Sequence, residues 1–266
     1  MIMLREVAPN VLVATSDMYM LNTTVVTAGS RCLLIDPGLL PGELHSLDTE
    51  LAAHGLVVEA GFATHPHWDH VLWSSELGDA PRYASRLCVD TLNLNRESML
   101  EEPLRGAGAK WYAQWETDVT GRLTAMPDDN RFTWSGPAAE TVIHNAHALG
   151  HCALYFREHG VLVAGDMLSD IEVPGLDWDQ DEQLNEYGDA LSRLAALDGV
   201  RFVIPGHGRV GDGAAFLSRA AADLAYLEAL AGLRQFGDPR LQGWPPMDQQ
   251  HQANLDGLAK TQAGRQ

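Results

Sequence analysis

Basic residues are scarce in this chain. Eighteen Lys and Arg stand against 36 Asp and Glu, a formal charge of −18 over 266 residues. A nucleic-acid binder carries a basic face, and none is visible here, so nucleic acid is not an expected partner. The same excess of acid argues against an anionic membrane surface. Cysteine is sparse too. Cys32, Cys88 and Cys152 are an odd set, far apart, and make no disulfide framework. No run approaches the roughly 18 apolar residues of a membrane span. The opening MIMLREVAPN meets Arg5 and Glu6 at once and lacks the apolar core of a signal peptide. These absences point to a cytoplasmic protein with a small-molecule substrate and no membrane partner, and leave a homo-oligomer open.

What is present is material for a core: 45% of the residues are apolar. Residues 11–15 (VLVAT), 23–27 (TTVVT) and 31–35 (RCLLI) are short and rich in β-branched or apolar residues, and read as neighbouring strands. A helix is expected over 42–54, where Leu44, Leu47 and Leu51 recur at helical spacing before Gly55. Residues 57–63 read as a buried strand, with a helical turn near 70–77. Residues 85–135 read as an irregular helical insertion over the scaffold. Strand patterns resume at 141–145, 152–156, 161–164 and 201–204, and helices are expected near 182–197 and 214–233. The Pro-, Gly- and Gln-rich residues 238–266 read as a loop-like or partly disordered tail. Residues 1–237 then form one domain of α/β or α+β type, sheets covered by helices.

The chemistry concentrates at ATHPHWDHVLW, residues 63–73. His65 and His67 are two apart, so at an extended strand end both point the same way. Asp69 and His70 follow as the chain turns. Imidazole and carboxylate suit zinc, and also iron or manganese. Four such side chains in six positions suggest more than one metal. Three further ligand types abut a glycine and a strand: His151 in ALGHC, Asp166 in VAGDM and His207 in IPGHG. Taken singly, such a histidine is more often a hydrogen-bonded core residue. Asp166 alone could cap a helix. Only the full set carries the metal reading.

HPHWDH, with GH at 150–151, GD at 165–166 and GH at 206–207, resembles the metallo-β-lactamase superfamily over roughly residues 10–210. The resemblance implies a four-layer αββα sandwich with a dinuclear site at one edge. It implies that His65, His67 and His151 hold one metal, Asp69, His70 and His207 the second, and that Asp166 bridges them. Asp36 resembles the family's early, loop-holding aspartate. Two divalent ions, zinc foremost with iron or manganese open, would then generate a bridging hydroxide, and Asp69 would accept or orient its proton. Asp166 with His207 looks like the thioesterase, lactonase and phosphodiesterase branches, so an ester, thioester or lactone is the expected substrate. A phosphodiesterase, a mononuclear iron dioxygenase of the persulfide type and a binding protein without turnover are the alternatives. Leu72, Leu149 and Cys152 depart from the commonest family pattern without removing a ligand.

Trp68, Trp73, Trp111, Tyr112, Trp115 and Trp134 are candidates to wall a cleft over the metals, each competing with plain packing. Tyr187, on a helical stripe, reads as core. His144 and His147 read as structural, and Cys152 as a small buried residue.

Overall fold

The computed structural model describes residues 2–178, 182–232, 234–235, 237–243 and 246–264. Its first half runs β1 (Arg5–Ala8), β2 (Val11–Thr15), β3 (Asn22–Ala28), β4 (Arg31–Ile35), α1 (Pro41–Ala53), β5 (Val57–Phe62), β6 (Arg82–Ala84), α2 (Arg86–Glu101) and β7 (Thr124–Ala125). These strands form one sheet in chain order, antiparallel as far as β4 and parallel from β4 to β7. The second half runs β8 (Glu140–His144), β9 (His151–Phe156), β10 (Val161–Gly165), α3 (Gln183–Ala195), β11 (Phe202–Pro205), β12 (Gly211–Asp212), α4 (Gly213–Leu230) and α5 (Pro246–Gly264). Its sheet has the order β12-β11-β10-β9-β8.

Alternation along each strand explains the layering, because successive side chains point to opposite faces. In β4, Leu33 and Ile35 face the second sheet while Cys32 and Leu34 face α1 and α2. In β9, Cys152, Leu154 and Phe156 face the first sheet while Ala153 and Tyr155 face α3 and α4. The sheets therefore share one dry core and each carries helices outside, the expected αββα order. A seam joins them at one edge. Asn22 donates through Nδ2 to the carbonyls of Pro205 (2.9 Å) and Gly208 (2.8 Å), and Leu21 bridges to His207.

Three expectations are corrected. The helical turn near 70–77 is only a 3-10 turn at Ser75–Leu77. Glu116 of the insertion accepts from Ser74 Oγ and Ser75 N and so takes a donor that a longer helix would bring into line, and Gly78 ends the turn at φ +82°. The helix expected over 214–233 is Gly213–Leu230, and Leu233 lies outside the described residues.

The tail is the third correction. It contains a 3-10 turn at Pro239–Gln242 and the helix α5, and Met247 belongs to the core outside the second sheet. Pro in the first turn and several Gln are compatible with a helix. What anchors α5 is polar. Asn254 is fully buried, donates to Pro174 O (2.7 Å) and Tyr226 Oη (3.0 Å), and accepts from Leu176 N and Trp178 Nε1 (3.3 Å each). Trp178 lies on Gly257 so closely that a Cβ there would meet its ring at 2.2 Å.

Candidate metal centre

β5 delivers the chain to the edge where the sheets meet. Asp36, just after the parallel neighbour β4, then organises the turn: its Oδ1 accepts Thr64 N (2.9 Å) and its Oδ2 accepts Thr64 Oγ1 (2.7 Å). His70 Nδ1 lies 2.9 Å from the same Oδ2, so it carries the proton and leaves Nε2 facing the site. The loop-holding role expected of Asp36 is what the structure shows.

The same tautomer logic repeats at two other histidines. His207 Nδ1 donates to Tyr19 O (2.9 Å) and His147 Nδ1 donates to Gly175 O (3.1 Å). In each ring the outer nitrogen is spent on a backbone or carboxylate oxygen and the inner one is presented inward, the usual orientation of a metal-binding imidazole.

The inner atoms form two groups. His65, His67, His147 and Asp166 offer ligand atoms that lie within 4.8 Å of one another, and so do Asp69, His70 and His207. Asp166 joins them: its Oδ2 is 3.5 Å from His65 Nε2, 3.4 Å from His147 Nε2 and 3.5 Å from His207 Nε2, and its Oδ1 is 3.1 Å from His70 Nε2. That last contact lacks hydrogen-bond geometry, and Oδ1 is buried without a hydrogen-bond partner among the described residues. His67 Nδ1 faces both His65 Nε2 (3.0 Å) and His147 Nε2 (3.1 Å), and one proton can bridge only one of those gaps. Converging ring nitrogens and a buried carboxylate oxygen without a hydrogen bond fit cations held between them.

His147 is the correction. The resemblance implied His151 as a ligand, but His151 turns its Nε2 away to accept Asp166 N (3.1 Å), and its Nδ1 is buried without a partner among the described residues. It stacks behind His65, with centroids 5.0 Å apart, and on His144 at 4.5 Å. The glycine that draws attention to His151 serves the backbone instead. Gly150 sits at φ +72°, and a Cβ there would meet Cys88 N at 2.3 Å. His147 has no glycine beside it and carries no comparable local signal.

Burial dominates the charge states. It holds His65 and His151 well below the ordinary histidine value of 6.5, and His67 and His144 at about 3. Burial would depress His207 too, but Asp166, Glu172 and Asp69 reverse this and lift it to about 10, and Asp166, Asp69 and Asp36 raise His70 in the same way. Against the cost of burial, His70 and His207 hold Asp69 and Asp166 ionised below the usual carboxylate range.

A stability profile follows for the metal-stripped protein. His67 and His144 stay neutral when folded and take up protons near pH 6.5 when unfolded, so stability falls as pH drops from 6.5 towards 3. His207 holds its proton when folded, so its contribution is lost as pH rises from 6.5 to 10. Each group changes stability by roughly 1.4 kcal/mol per pH unit within its window. Calorimetry in chelator should show Tm falling on the acid side of pH 6.5. An acid limb flat down to pH 4 would contradict these charge states.

A cavity of about 650 Å³ opens over the centre. Its wall includes Trp68, Tyr19, Glu172, Glu102 and Arg105, and α5 adds Met247 and Gln250. Among the candidate aromatics only Trp68 lines it. Trp115 packs on Trp68 (5.2 Å) and donates to Leu39 O, while Trp73 donates to Gly78 O beneath Arg82. Trp134 packs at the core between the sheets, and Trp111 and Tyr112 pack against the core outside the first. The insertion reaches the cavity through charged residues of the Glu102–Arg105 turn. Tyr187 and Cys152 are buried core residues, as expected. No helix among the described residues is long and apolar enough to cross a membrane.

Known proteins are similar to the chain in sequence and in architecture. The chain is 25% identical over 198 residues to the probable metallo-hydrolase YqgX of Bacillus subtilis (strain 168), covering 70% of this chain and 84% of that protein. It is 27% identical over 203 residues to the acyl-coenzyme A thioesterase MBLAC2 of Gallus gallus, covering 70% and 72%. Its fold matches a metallo-beta-lactamase family protein from Thermus thermophilus with a TM-score of 0.71 at 21% identity, over 97% of this chain and 95% of that one. The model of the metallo-beta-lactamase superfamily matches residues 18–207, a span that holds HPHWDH, His147, Asp166 and His207, and the chain belongs to that superfamily.

Proposed function

We propose that the protein is a two-metal hydrolase of ester-like bonds, an ester, thioester or lactone. One observation carries this reading: Asp166 belongs to the cluster of His65, His67 and His147 and also reaches His70 (3.1 Å) and His207 (3.5 Å) of the other. The fitted ligand set is His65, His67 and His147 on one side, Asp69, His70 and His207 on the other, and Asp166 shared. Likeness to an acyl-coenzyme A thioesterase supports the thioester within that class.

Divalent ions bound there would supply Lewis acidity and a water activated at neutral pH. The chain's own residues do the rest. Asp69 lies beside His207 (3.3 Å) and faces the cavity, so it is placed to accept the attacking water's proton and pass it to the leaving group. The water oxygen forms the new bond to carbon as the C–O or C–S bond breaks. Trp68 and Val173 give the substrate an apolar wall beside these polar groups.

The test is elemental analysis of the purified protein, then assay on ester, thioester, lactone and phosphodiester substrates. Two divalent ions per chain with turnover of a carboxylic substrate is the expected result. Two ions with turnover only of phosphodiesters would move the substrate class. One iron with oxygen uptake on a thiol substrate would replace the reading by an oxygenase.

A further inference from the structure

The ligand set above leaves one carboxylate at the centre unused. Glu172 lines the cavity, and one of its oxygens lies within 4.8 Å of ligand atoms of both Asp166 and His207. It follows β10 by seven residues in a loop whose shape is held from two directions. Ser169 Oγ donates to His207 O (2.7 Å) and accepts the amides of Ile171 and Glu172 (3.1 Å each), so one hydroxyl ties His207 to the residue beside it. Arg240, from beyond the family match, donates to the carbonyls of Glu172 (2.8 Å) and Ser169 (3.3 Å). The Glu172 side chain has no hydrogen bond or ion pair among the described residues, whereas the Asp166 oxygen it approaches belongs to a side chain more than nine-tenths buried. A carboxylate placed this firmly beside an imidazole and another carboxylate, with no hydrogen bond or ion pair of its own among the described residues, is placed for a cation.

We infer that Glu172 is an additional oxygen donor to the second metal, beside Asp69, His70, His207 and Asp166. This rests on the two-metal reading above. The two sites then differ in kind. His65, His67 and His147 with Asp166 make a nitrogen-rich set of four, the number and type that zinc favours. Asp69, Asp166 and Glu172 with His70 and His207 make an oxygen-rich set of five, which suits a higher coordination number and a harder ion such as manganese or ferrous iron. Glu172 thereby narrows the affinity gap between zinc and manganese at the second site, where imidazole alone would widen it.

The experiment is metal titration of the full-length, chelator-stripped protein with zinc and with manganese, followed by the absorption spectrum after loading with cobalt(II). Wild type should take up two equivalents. Glu172→Gln, which keeps a neutral oxygen donor, should bind the first equivalent unchanged and the second at least about 10-fold more weakly, with the larger loss for manganese. Its second-site cobalt bands should intensify as coordination number falls. Glu172→Asp, which keeps the charge on a shorter arm, should fall between. Unchanged second-site affinity and spectrum in Glu172→Gln, with circular dichroism confirming the fold, would make Glu172 a cavity wall only. If wild type itself takes one equivalent, the two-metal reading fails before any variant is made, and this inference with it.

Discussion

His147→Ala is expected to lose one metal equivalent and most turnover, while His151→Gln keeps both metals. The two histidines are four residues apart and both buried or nearly so, yet they present different atoms. His147 spends Nδ1 on Gly175 O and aims Nε2 at His67 and Asp166. His151 spends Nε2 on the backbone of Asp166, and a glutamine oxygen can accept that same N–H. Loss of a partner that merely orients a ligand costs about 10–100-fold in metal affinity, so loss of a ligand should cost at least about 100-fold. If the metals supply several kcal/mol of transition-state stabilisation, kcat/KM should fall by about 10³-fold. His151→Gln should lose stability, through its stacks on His65 and His144, more than metal. Metal content per chain decides the matter. The reverse pattern, metal lost in His151→Gln and kept in His147→Ala, would return His151 to the ligand set.

The second large effect is on stability. Arg240→Met is expected to cost about 3–5 kcal/mol, the range for stripping one partner from a buried ion pair. Arg240 is 6% exposed and holds Asp223 and Asp238 as well as two carbonyls of the 168–172 loop. Without it Asp223, 1% exposed, keeps among the described residues only Leu168 N (3.2 Å) and no counter-charge close by except Arg219, whose nearest ion pair is with Asp170. Burial already pushes Asp223 up to about 6. Loss of Arg240 raises it further, and protonation would neutralise the stranded charge, so the gap between variant and wild type should shrink as pH falls towards 6 and stay level below it. Asp223→Asn in the same chain should recover part of the loss. Denaturant midpoints at pH 5 and pH 8 measure both effects, and a gap equal at the two pH values would show that the charge is not the cause.

How much of the fold and site is legible in the sequence depends on which interactions are local. The strands read well because each alternates or runs apolar over its own length, as in VLVAT and RCLLI. β6, β7 and β12 are too short to show a pattern. HPHWDH carries its dense metal signal within six residues, and Asp166 and His207 stand out through glycines that the geometry explains. At Gly206 a Cβ would stand 1.9 Å from Asp166 Oδ1. The glycine beside His151 serves only the backbone turn, and there the rule misleads. α5 escapes a reading of the sequence because what fixes it is one buried asparagine and a tryptophan 79 residues earlier in the chain (Gly257 and Trp178). Glu172 escapes it because its partners come from 166, 169, 207 and 240, brought together only by the fold.

The seam between the sheets has a kinetic consequence. Asn22 reaches Pro205 and Gly208 across 183 and 186 positions of chain, and His70 meets His207 across 137. Contacts so distant in sequence close slowly, because loop entropy is lost before they form. The donors on 65–70 and those on 147–207 lie in opposite halves, so a cation can select only chains whose halves have already docked. Refolding with a chelator present should therefore reach native secondary structure at the ordinary rate, and metal uptake should follow as a later, separate phase that clocks the meeting of the halves.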